Sequence, residues 1–248
     1  MIRRLIELKL VAMIKGKTVL VVDDEPDLRE ILKDEFTFEG ADVSEAKNGK
    51  EALELVKSKK FDAVLSDIRM PGGDGVTLAR EIKALNSQTP IVFLITGFAD
   101  LRSYEAYDLG AEGFFTKPFH LEELREAVSR MMLEPKARWG QIPKDNPKKE
   151  LKIAGQFAAL LEKGEVQLGR GGLFVKSAQV SGYTLGEVVQ VVMDDWQAQA
   201  YVRWARSEDA GALPTGLGLE FRALPQGSLE QALKELQGRN PRAYIPQT

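Results

Sequence analysis

The fold is decided by the stretch Leu65-Ser66-Asp67-Ile68-Arg69-Met70-Pro71-Gly72-Gly73-Asp74-Gly75. A short apolar strand over residues 61–65 ends here, and a loop rich in proline and glycine follows it. In α/β sheets, ligands bind outside the carboxyl ends of the strands. The carboxylate of Asp67 is therefore the first candidate for chemistry in this chain.

Polar side chains also follow three other apolar runs. Asp23 and Asp24 come directly after one run, Thr96 follows another, and Lys117 follows a third. Three clustered carboxylates repel one another unless a cation joins them. Mg²⁺ suits such a site because it prefers oxygen ligands. The set of three carboxylates, one hydroxyl and one ammonium can hold a divalent cation and accept a phosphoryl group.

The first half of the chain alternates strand patterns with helical patterns. The predicted strands are 17–22, 41–46, 61–66, 90–95 and 112–116. Between them, apolar residues recur at helical spacing. Such alternation predicts right-handed crossovers and a doubly wound parallel sheet of five strands. We therefore expect an α/β domain over residues 16–134, with the polar groups at its carboxyl edge.

Composition excludes several classes of function. The 248 residues have room for one large or two ordinary domains, and the net charge is −3. The chain has no cysteine, which excludes disulfides and thiolate chemistry, and its single histidine, His120, argues against a histidine-rich metal site. The apolar runs are far shorter than the roughly 18 residues that span a bilayer. We expect a cytoplasmic protein without a membrane span.

The first residues form a predicted N-terminal extension, residues 1–15. Residues 1–12 are apolar with interspersed charges, which argues against a secretory signal. Two interpretations stay open. The extension could lie upstream of a natural start at Met13, or it could be a short amphipathic helix that packs on a partner.

The second half of the chain differs from the first in composition and in the spacing of its predicted strands. Residues 135–149 contain three prolines and predict a linker. Residues 150–240 predict a small all-β domain with flanking helices, either an antiparallel barrel or a sandwich, and 241–248 a C-terminal tail. The predicted elements are a helix at 151–162, strands at 165–168, 172–177, 187–193, 198–206 and 217–223, and a helix at 228–236 with Ser228 as its N-cap.

Four motifs in the first half together resemble the receiver domain of two-component response regulators. They are Asp23-Asp24, Asp67 with Met70-Pro71, Thr96-Gly97 and Lys117-Pro118-Phe119. The resemblance covers roughly residues 16–134 and implies a flavodoxin-like fold. It also implies a Mg²⁺-dependent phosphoacceptor, with self-catalysed phosphotransfer and autodephosphorylation and no other enzymatic activity.

The resemblance assigns roles to individual residues. Asp67 would accept the phosphoryl group and, with Asp24 and the main-chain carbonyl of Arg69, ligate Mg²⁺, whereas Asp23 would act partly through water. Lys117 would pair with the phosphoryl oxygens. Lys117-Pro118 is also a candidate cis peptide.

The resemblance further implies a conformational switch and a set of partners. Thr96 and Phe114 would rearrange on phosphorylation and alter the surface of the helix at about 99–108, the strand at 112–116 and the helix at about 120–132. The donor would be a sensor histidine kinase or a phosphotransfer protein, and the signal would pass to an unknown downstream protein. A homodimer through the receiver is compatible with the same resemblance.

The second half resembles the PilZ domain, a small β-barrel that binds cyclic di-GMP, over roughly residues 150–240. The resemblance rests on glycines, apolar strands and one tryptophan, in the runs 169–175, 185–189, 200–204 and 216–221. The ligand motifs depart from the family, because the segment 152–165 lacks the arginine pair. The positions of the second motif hold Gln167, Gly169 and Gly172, with Arg170 as the nearby guanidinium. We therefore expect weak or no binding of cyclic di-GMP and an output through protein contacts.

Three other functions remain as alternatives. The first is a cyclic-di-GMP effector that integrates phosphorylation with the second messenger. The second is a DNA-binding regulator, but residues 151–248 hold ten basic and ten acidic residues and show no basic recognition helix. The third is an output enzyme, for which the acidic pair Asp194-Asp195 is the candidate in this half.

Overall fold

A computed structural model describes residues 13–247 apart from 98–101, 144, 146, 178–179 and 208–212. Residues 1–12 of the predicted extension lie outside the described residues, so both interpretations of it stay predictions. The start of the helix predicted at about 99–108 lies outside them too. Among the helices in the described ranges, none combines the length and the apolar character needed to cross a membrane.

Contacts divide the chain into two compact units. The first unit runs up to Arg102 and resumes with Leu109–Leu133, and the second comprises Ser103–Asp108 and the chain from Glu134 onward. The predicted boundaries of the domains, at 16–134 and 150–240, stay predictions. Each unit has its own sheet.

The first unit is built on a parallel sheet. Its strands are β1 (Thr18–Val22), β2 (Asp42–Ala46), β3 (Ala63–Asp67), β4 (Ile91–Thr96) and β5 (Gly113–Thr116). They pair in parallel in the order β2-β1-β3-β4-β5. This order is that of flavodoxin-like folds, so the predicted architecture is confirmed. Every residue of β3 and β4 is buried, which explains their continuous apolar runs.

Helices connect these strands, and local sequence explains where several begin. They are α1 (Pro26–Phe38), α2 (Gly49–Ser58), α3 (Gly75–Leu85), α4 (Ser103–Leu109) and α5 (Leu121–Met131). Proline stands in the first turn of α1, where its missing N–H costs no hydrogen bond. The side chains of Asn48 and Asp74 accept main-chain N–H bonds at the starts of α2 and α3.

A carboxylate at the amino edge of this sheet holds the start of β1. Asp62 accepts hydrogen bonds from the Thr18 N–H at 2.8 Å, the Thr18 hydroxyl at 3.0 Å and the Lys17 ammonium at 3.1 Å. Partial burial alone would raise the pKa of the Asp62 carboxyl. These hydrogen bonds outweigh burial and lower the pKa below its ordinary value.

We expect Asp62→Asn to lower the free energy of unfolding by about 1 kcal/mol near neutral pH, because solvent screens this partly exposed group. The folded pKa lies below the unfolded one. The contribution of Asp62 is therefore complete above the unfolded pKa and is lost as the pH falls through the folded pKa. The difference between variant and wild type should shrink below about pH 4 in urea unfolding. A difference that does not change with pH would contradict this assignment.

The second unit contains a mixed sheet instead of the predicted antiparallel barrel. Its strands are β6 (Lys149–Lys152), β7 (Val166–Leu168), β8 (Gly172–Lys176), β9 (Val188–Val192), β10 (Gln197–Arg206) and β11 (Gly216–Ala223). The order is β6-β9-β10-β11-β8-β7. The β6–β9 pair is parallel, whereas the other pairs are antiparallel. Five strands match predicted runs, and β6 was missed because residues 151–162 were predicted as one helix.

Three helices accompany this sheet: α6 (Pro135–Trp139), α7 (Phe157–Glu162) and α8 (Gln226–Arg239). The linker predicted at 135–149 is corrected, because it begins with α6 and Trp139 is fully buried in the core. The Trp139 ring lies edge-on to Phe221, with centroids 5.3 Å apart. Proline is common both in the first turn of a helix and in linkers, so the sequence did not distinguish a helix at 135–139 from a linker.

The predicted N-cap of the last helix is also wrong. α8 begins at Gln226, and Ser228 lies inside its first turn. The Ser228 hydroxyl accepts the Gln197 N–H at 3.0 Å, and the Ser228 carbonyl accepts the Trp196 indole N–H at 2.9 Å. Ser228 therefore joins α8 to the sheet, a long-range role that the capping pattern did not predict.

Candidate functional site

The chain places Asp67 at the carboxyl edge of the parallel sheet, as the last residue of β3. Its side chain is almost fully buried. One carboxylate oxygen, Oδ2, accepts the Arg69 N–H at 2.6 Å, and the other, Oδ1, lies 2.8 Å from the Lys117 ammonium. A Cβ on Gly75 would lie 2.1 Å from the main-chain oxygen of Asp67, so only glycine allows α3 to start this close to the site.

Lys117 follows β5 and connects three acidic side chains. Its Nζ lies 2.8 Å from Asp67, 3.1 Å from Asp23 and 3.0 Å from Glu25. Burial disfavours the ammonium and by itself lowers the pKa of Lys117. Hydrogen bonds to Asp67, Glu25 and Asp23 outweigh burial and raise the pKa above its ordinary value. Lys117 is therefore a fixed positive charge beside Asp67.

The two adjacent acids after β1 have different surroundings. Asp23 is buried, and its Oδ1 accepts the Glu25 N–H at 2.9 Å. Desolvation raises the pKa of the Asp23 carboxyl, against the lowering effect of that bond and of Lys117. Asp24 is exposed. The structure thus brings Asp23, Asp67 and Lys117 together and leaves the side chain of Asp24 facing solvent.

The predicted switch residues lie on the two strands beside β3. Thr96 ends β4 and is buried, and its carbonyl accepts the Lys117 N–H at 2.7 Å. Phe114 is half-buried on β5, opposite Leu94. A Cβ on Gly97 would meet only the Lys117 side chain, at 3.9 Å, so the backbone here is open toward the lysine. The Lys117–Pro118 peptide bond is cis, as predicted.

The donor set fits a hard divalent cation. In the part of the chain that the structure describes, no three Asp, Glu or His side chains converge closely enough to hold a metal ion. The Asp23 and Asp67 carboxylates nevertheless meet the same ammonium, within 3.1 Å of it. Carboxylates, one main-chain carbonyl and waters are the ligands Mg²⁺ accepts. Asp24 and the Arg69 carbonyl would complete the set.

Sequence reasoning missed Glu25 and Arg29. Glu25 is the third carboxylate on Lys117, and the Arg29 guanidinium donates to the Asp23 carbonyl at 2.7 Å. A signal for Glu25 existed, because it directly follows the acidic pair in a loop at the same sheet edge. Arg29 lies on α1, where a single charged residue in a helical pattern gives no such signal.

The residues that the sequence compared with a cyclic-di-GMP motif lie at the edge of the second unit's sheet. Gln167 is on β7, and the Gly169 N–H donates to the Gly172 carbonyl at 2.8 Å, which closes a tight turn. Arg170 in that turn is buried, and its Nε donates to the Arg242 carbonyl at 3.1 Å. A Cβ on Gly169 would lie 2.4 Å from the Tyr244 carbonyl oxygen. The turn packs directly on the end of the chain.

The acidic pair considered for an output enzyme has a structural role. Asp195 Oδ1 accepts the Phe157 N–H at 2.8 Å at the start of α7. An acid at a helix start satisfies a main-chain donor that has no partner within the helix. Asp195 therefore connects the loop between β9 and β10 to the start of α7.

Comparison with known proteins agrees with this geometry. The family model described as the response regulator receiver domain matches residues 19–129. Sporulation initiation phosphotransferase F of Bacillus subtilis is 33% identical over 118 residues, covering 47% of this chain and 94% of that protein. Response regulator protein PilR of Pseudomonas aeruginosa is 32% identical over 222 residues, which is 88% of this chain and 48% of PilR.

Two further relatives extend the comparison. Regulatory protein AtoC of Escherichia coli is 33% identical over 61% of this chain and 38% of AtoC. A solved structure of response regulator protein TrrA from Thermotoga maritima in complex with Mg²⁺–BeF is 38% identical, with a TM-score of 0.43, covering 46% of this chain and 98% of that one. The chain spans 48% of the length of PilR and 38% of the length of AtoC, which is less than half of each relative.

The receiver-domain match and the similarity to sporulation initiation phosphotransferase F, together with the site, define the class of protein. The chain belongs to the response regulators of two-component systems, and its N-terminal part is a receiver domain. Receiver domains are phosphoacceptors, and they interact with a histidine kinase or a phosphotransfer protein.

Proposed function

We propose that Asp67 accepts a phosphoryl group from the phosphohistidine of a sensor histidine kinase or a phosphotransfer protein. The observation that carries this proposal is the nearly buried Asp67 carboxylate at the end of β3, held 2.8 Å from the Lys117 ammonium. A structural ion pair would need only one carboxylate. Here Lys117 contacts three, at the edge where α/β sheets bind ligands.

The phosphoryl transfer needs one nucleophile and positive charges that neutralise the phosphoryl oxygens. An Asp67 oxygen forms a bond to phosphorus, the bond from phosphorus to the imidazole nitrogen breaks, and the electron pair stays on that nitrogen. The Lys117 ammonium then pairs with the phosphoryl oxygens. Mg²⁺, held by Asp23, Asp24, Asp67 and the Arg69 carbonyl, would neutralise charge on the attacking and transferring groups.

Phosphorylation would then shift the receiver between two conformations. Thr96 lies at the end of β4, next to Asp67 at the end of β3, where its hydroxyl can bond a phosphoryl oxygen. Phe114 is half-buried on β5 and could turn inward as Thr96 moves. Phosphorylation thereby favours the state in which Thr96 bonds the phosphoryl group and Phe114 is turned inward behind it.

The second unit would deliver the output through protein contacts in the cytoplasm. Its basic and acidic residues balance between 151 and 248, so the unit has no net positive charge to attract DNA. Binding of cyclic di-GMP is disfavoured, because Gly169 and Arg170 of the motif turn pack on the end of the chain.

The test uses the intact chain with acetyl phosphate as the donor. With Mg²⁺ present, we expect intact-mass spectrometry to show one added phosphoryl group, and chelation of Mg²⁺ should prevent the addition. Addition of hydroxylamine should remove the group, because an acyl phosphate is cleaved by this nucleophile. Failure to gain a phosphoryl group with either acetyl phosphate or a small phosphoramidate would defeat the proposal.

A further inference from the structure

The last residues of the chain bind the second unit in the manner of a peptide ligand. We call residues 242–247 the C-terminal segment. Two consecutive main-chain donors of the glycine turn bond to it, Arg170 N–H to the Ala243 carbonyl and Gly171 N–H to the Tyr244 carbonyl, each at 2.9 Å. Two bonds from consecutive donors to consecutive carbonyls fix the bent main chain of the C-terminal segment against the glycine turn.

A side-chain anchor accompanies these main-chain bonds. Tyr244 and Ile245 are almost completely buried. The Tyr244 ring fills the space over Gly171, where an added Cβ would lie 1.9 Å from the ring. The Arg170 guanidinium lies 5.8 Å from the same ring centroid, and the Tyr244 hydroxyl is 3.4 Å from Glu220. A buried aromatic residue in a well-packed pocket is often the energetic centre of a binding interface.

The opposite side of the C-terminal segment is also bonded within the second unit. The Tyr244 N–H donates to the Tyr107 carbonyl at 2.9 Å. The Gln247 N–H and side-chain amide donate to the Asp108 carboxylate at 3.2 and 3.1 Å, and Arg206 donates to the Gln247 carbonyl. The C-terminal segment therefore lies in a groove with hydrogen-bonding partners along both of its walls.

The C-terminal segment is connected to this groove by a short link. α8 ends at Arg239, and Asn240 follows in the left-handed conformation with φ of 44° before Pro241. All of the partners above belong to other parts of the second unit. A segment that belongs to no strand and is joined to the sheet by one short link can open locally without unfolding the rest of the sheet.

We propose that the second unit is a peptide-binding module, and that the C-terminal segment occupies its groove as a resident ligand. A partner would displace it with a peptide of the same chemistry, a tyrosine followed by a branched aliphatic residue. This inference deepens the output part of the proposed function and rests on it only for the claim that output proceeds through protein contacts. Because the resident ligand is tethered, its effective concentration reaches the millimolar range and must be overcome.

The test opens the groove in the intact chain and supplies the ligand separately. In Tyr244→Ala the resident segment loses its anchor. A fluorescently labelled peptide with the sequence of residues 241–248 should then bind at least about tenfold more tightly than it binds wild type, measured by fluorescence polarisation. The same peptide with alanine in place of its tyrosine is the matched control and should not bind.

A second variant tests whether the groove is the binding site. Gly171→Ala, combined with Tyr244→Ala, places a Cβ where the tyrosine ring would lie and should abolish binding of the labelled peptide. Equal affinity of the peptide for the single and the double variant would overturn the proposal, and so would equal affinity for wild type and Tyr244→Ala.

A measurement on the wild type covers the case in which Tyr244→Ala does not fold. The amides of Arg170 and Gly171 should exchange with deuterium through local opening, at least about tenfold faster than the amides of β10. If the amides of Arg170 and Gly171 exchanged only through global unfolding, as slowly as the amides of β10, the proposal would be overturned. Neither experiment uses phosphorylation. A chain that binds the peptide but gains no phosphoryl group would contradict only the assignment of Asp67 as phosphoacceptor. A chain that gains the phosphoryl group but does not bind the peptide would contradict only the peptide-binding proposal.

Discussion

Asp67→Asn is expected to abolish incorporation of phosphoryl groups from acetyl phosphate. Asparagine keeps the size of the side chain and can still accept the Arg69 N–H bond, which the carboxylate accepts at 2.6 Å. Its amide oxygen is a far weaker nucleophile than a carboxylate oxygen and lacks the negative charge that attracts Mg²⁺. Intact-mass spectrometry of variant and wild type under the same conditions measures the effect.

Asp74→Asn is the matched control for this variant. Asp74 lies in the same loop, is exposed, and accepts the Thr77 N–H at 2.8 Å at the start of α3. Asparagine is an equally good N-cap, so this change should leave both the helix and phosphorylation intact. Full stoichiometric labelling of Asp67→Asn would exclude Asp67 as the acceptor, and loss of labelling in Asp74→Asn would show that any loop substitution disturbs the site.

Lys83→Met is expected to lower the free energy of unfolding by about 3–5 kcal/mol. The Lys83 ammonium is buried on α3, 2.8 Å from Glu112 and 2.8 Å from the Pro90 carbonyl. The other Glu112 oxygen accepts the Val92 N–H at 2.7 Å, which fixes the carboxylate inside the domain. Methionine fills the space but leaves a buried negative charge without its cation. Urea denaturation measures the change.

Two further variants separate the buried charge from other effects. Lys83→Met combined with Glu112→Gln should be more stable than Lys83→Met alone, because an amide costs less to bury than a carboxylate and can still accept the Val92 N–H. Lys57→Met, at an exposed position on α2, should change stability by less than about 0.5 kcal/mol. If Lys83→Met were no more destabilising than Lys57→Met, the buried pair would have no role in stability.

The burial of the Lys83–Glu112 pair is a feature that local sequence patterns did not predict. Lysine and glutamate at helical or loop positions normally predict solvent exposure. Here both side chains are buried because each neutralises the other and the main chain satisfies their remaining hydrogen bonds. Nothing in the local sequence marks two residues 29 positions apart as partners.

The receiver fold and its central residues were predictable because their signals are local. The buried strands β3 and β4 appear in the sequence as apolar runs, and the polar residue that ends each of them, Asp67 or Thr96, falls at the carboxyl edge whatever the details of packing. Parallel pairing then brings the separate strand ends together. The sequence therefore specified Asp23, Asp67 and Lys117 as neighbours before any coordinates were known.

Long-range pairing settled the remainder. Only the folded chain showed that Glu25 also contacts Lys117, that β6 pairs in parallel with β9, and that Trp139 is a core residue. It also showed Tyr244 buried against Gly171, in residues that were predicted to be a tail. The physical reason is that periodicity reports which face of one element is apolar. It does not report which distant residue will cover that face, because that choice depends on shape and hydrogen bonding formed after the chain has folded.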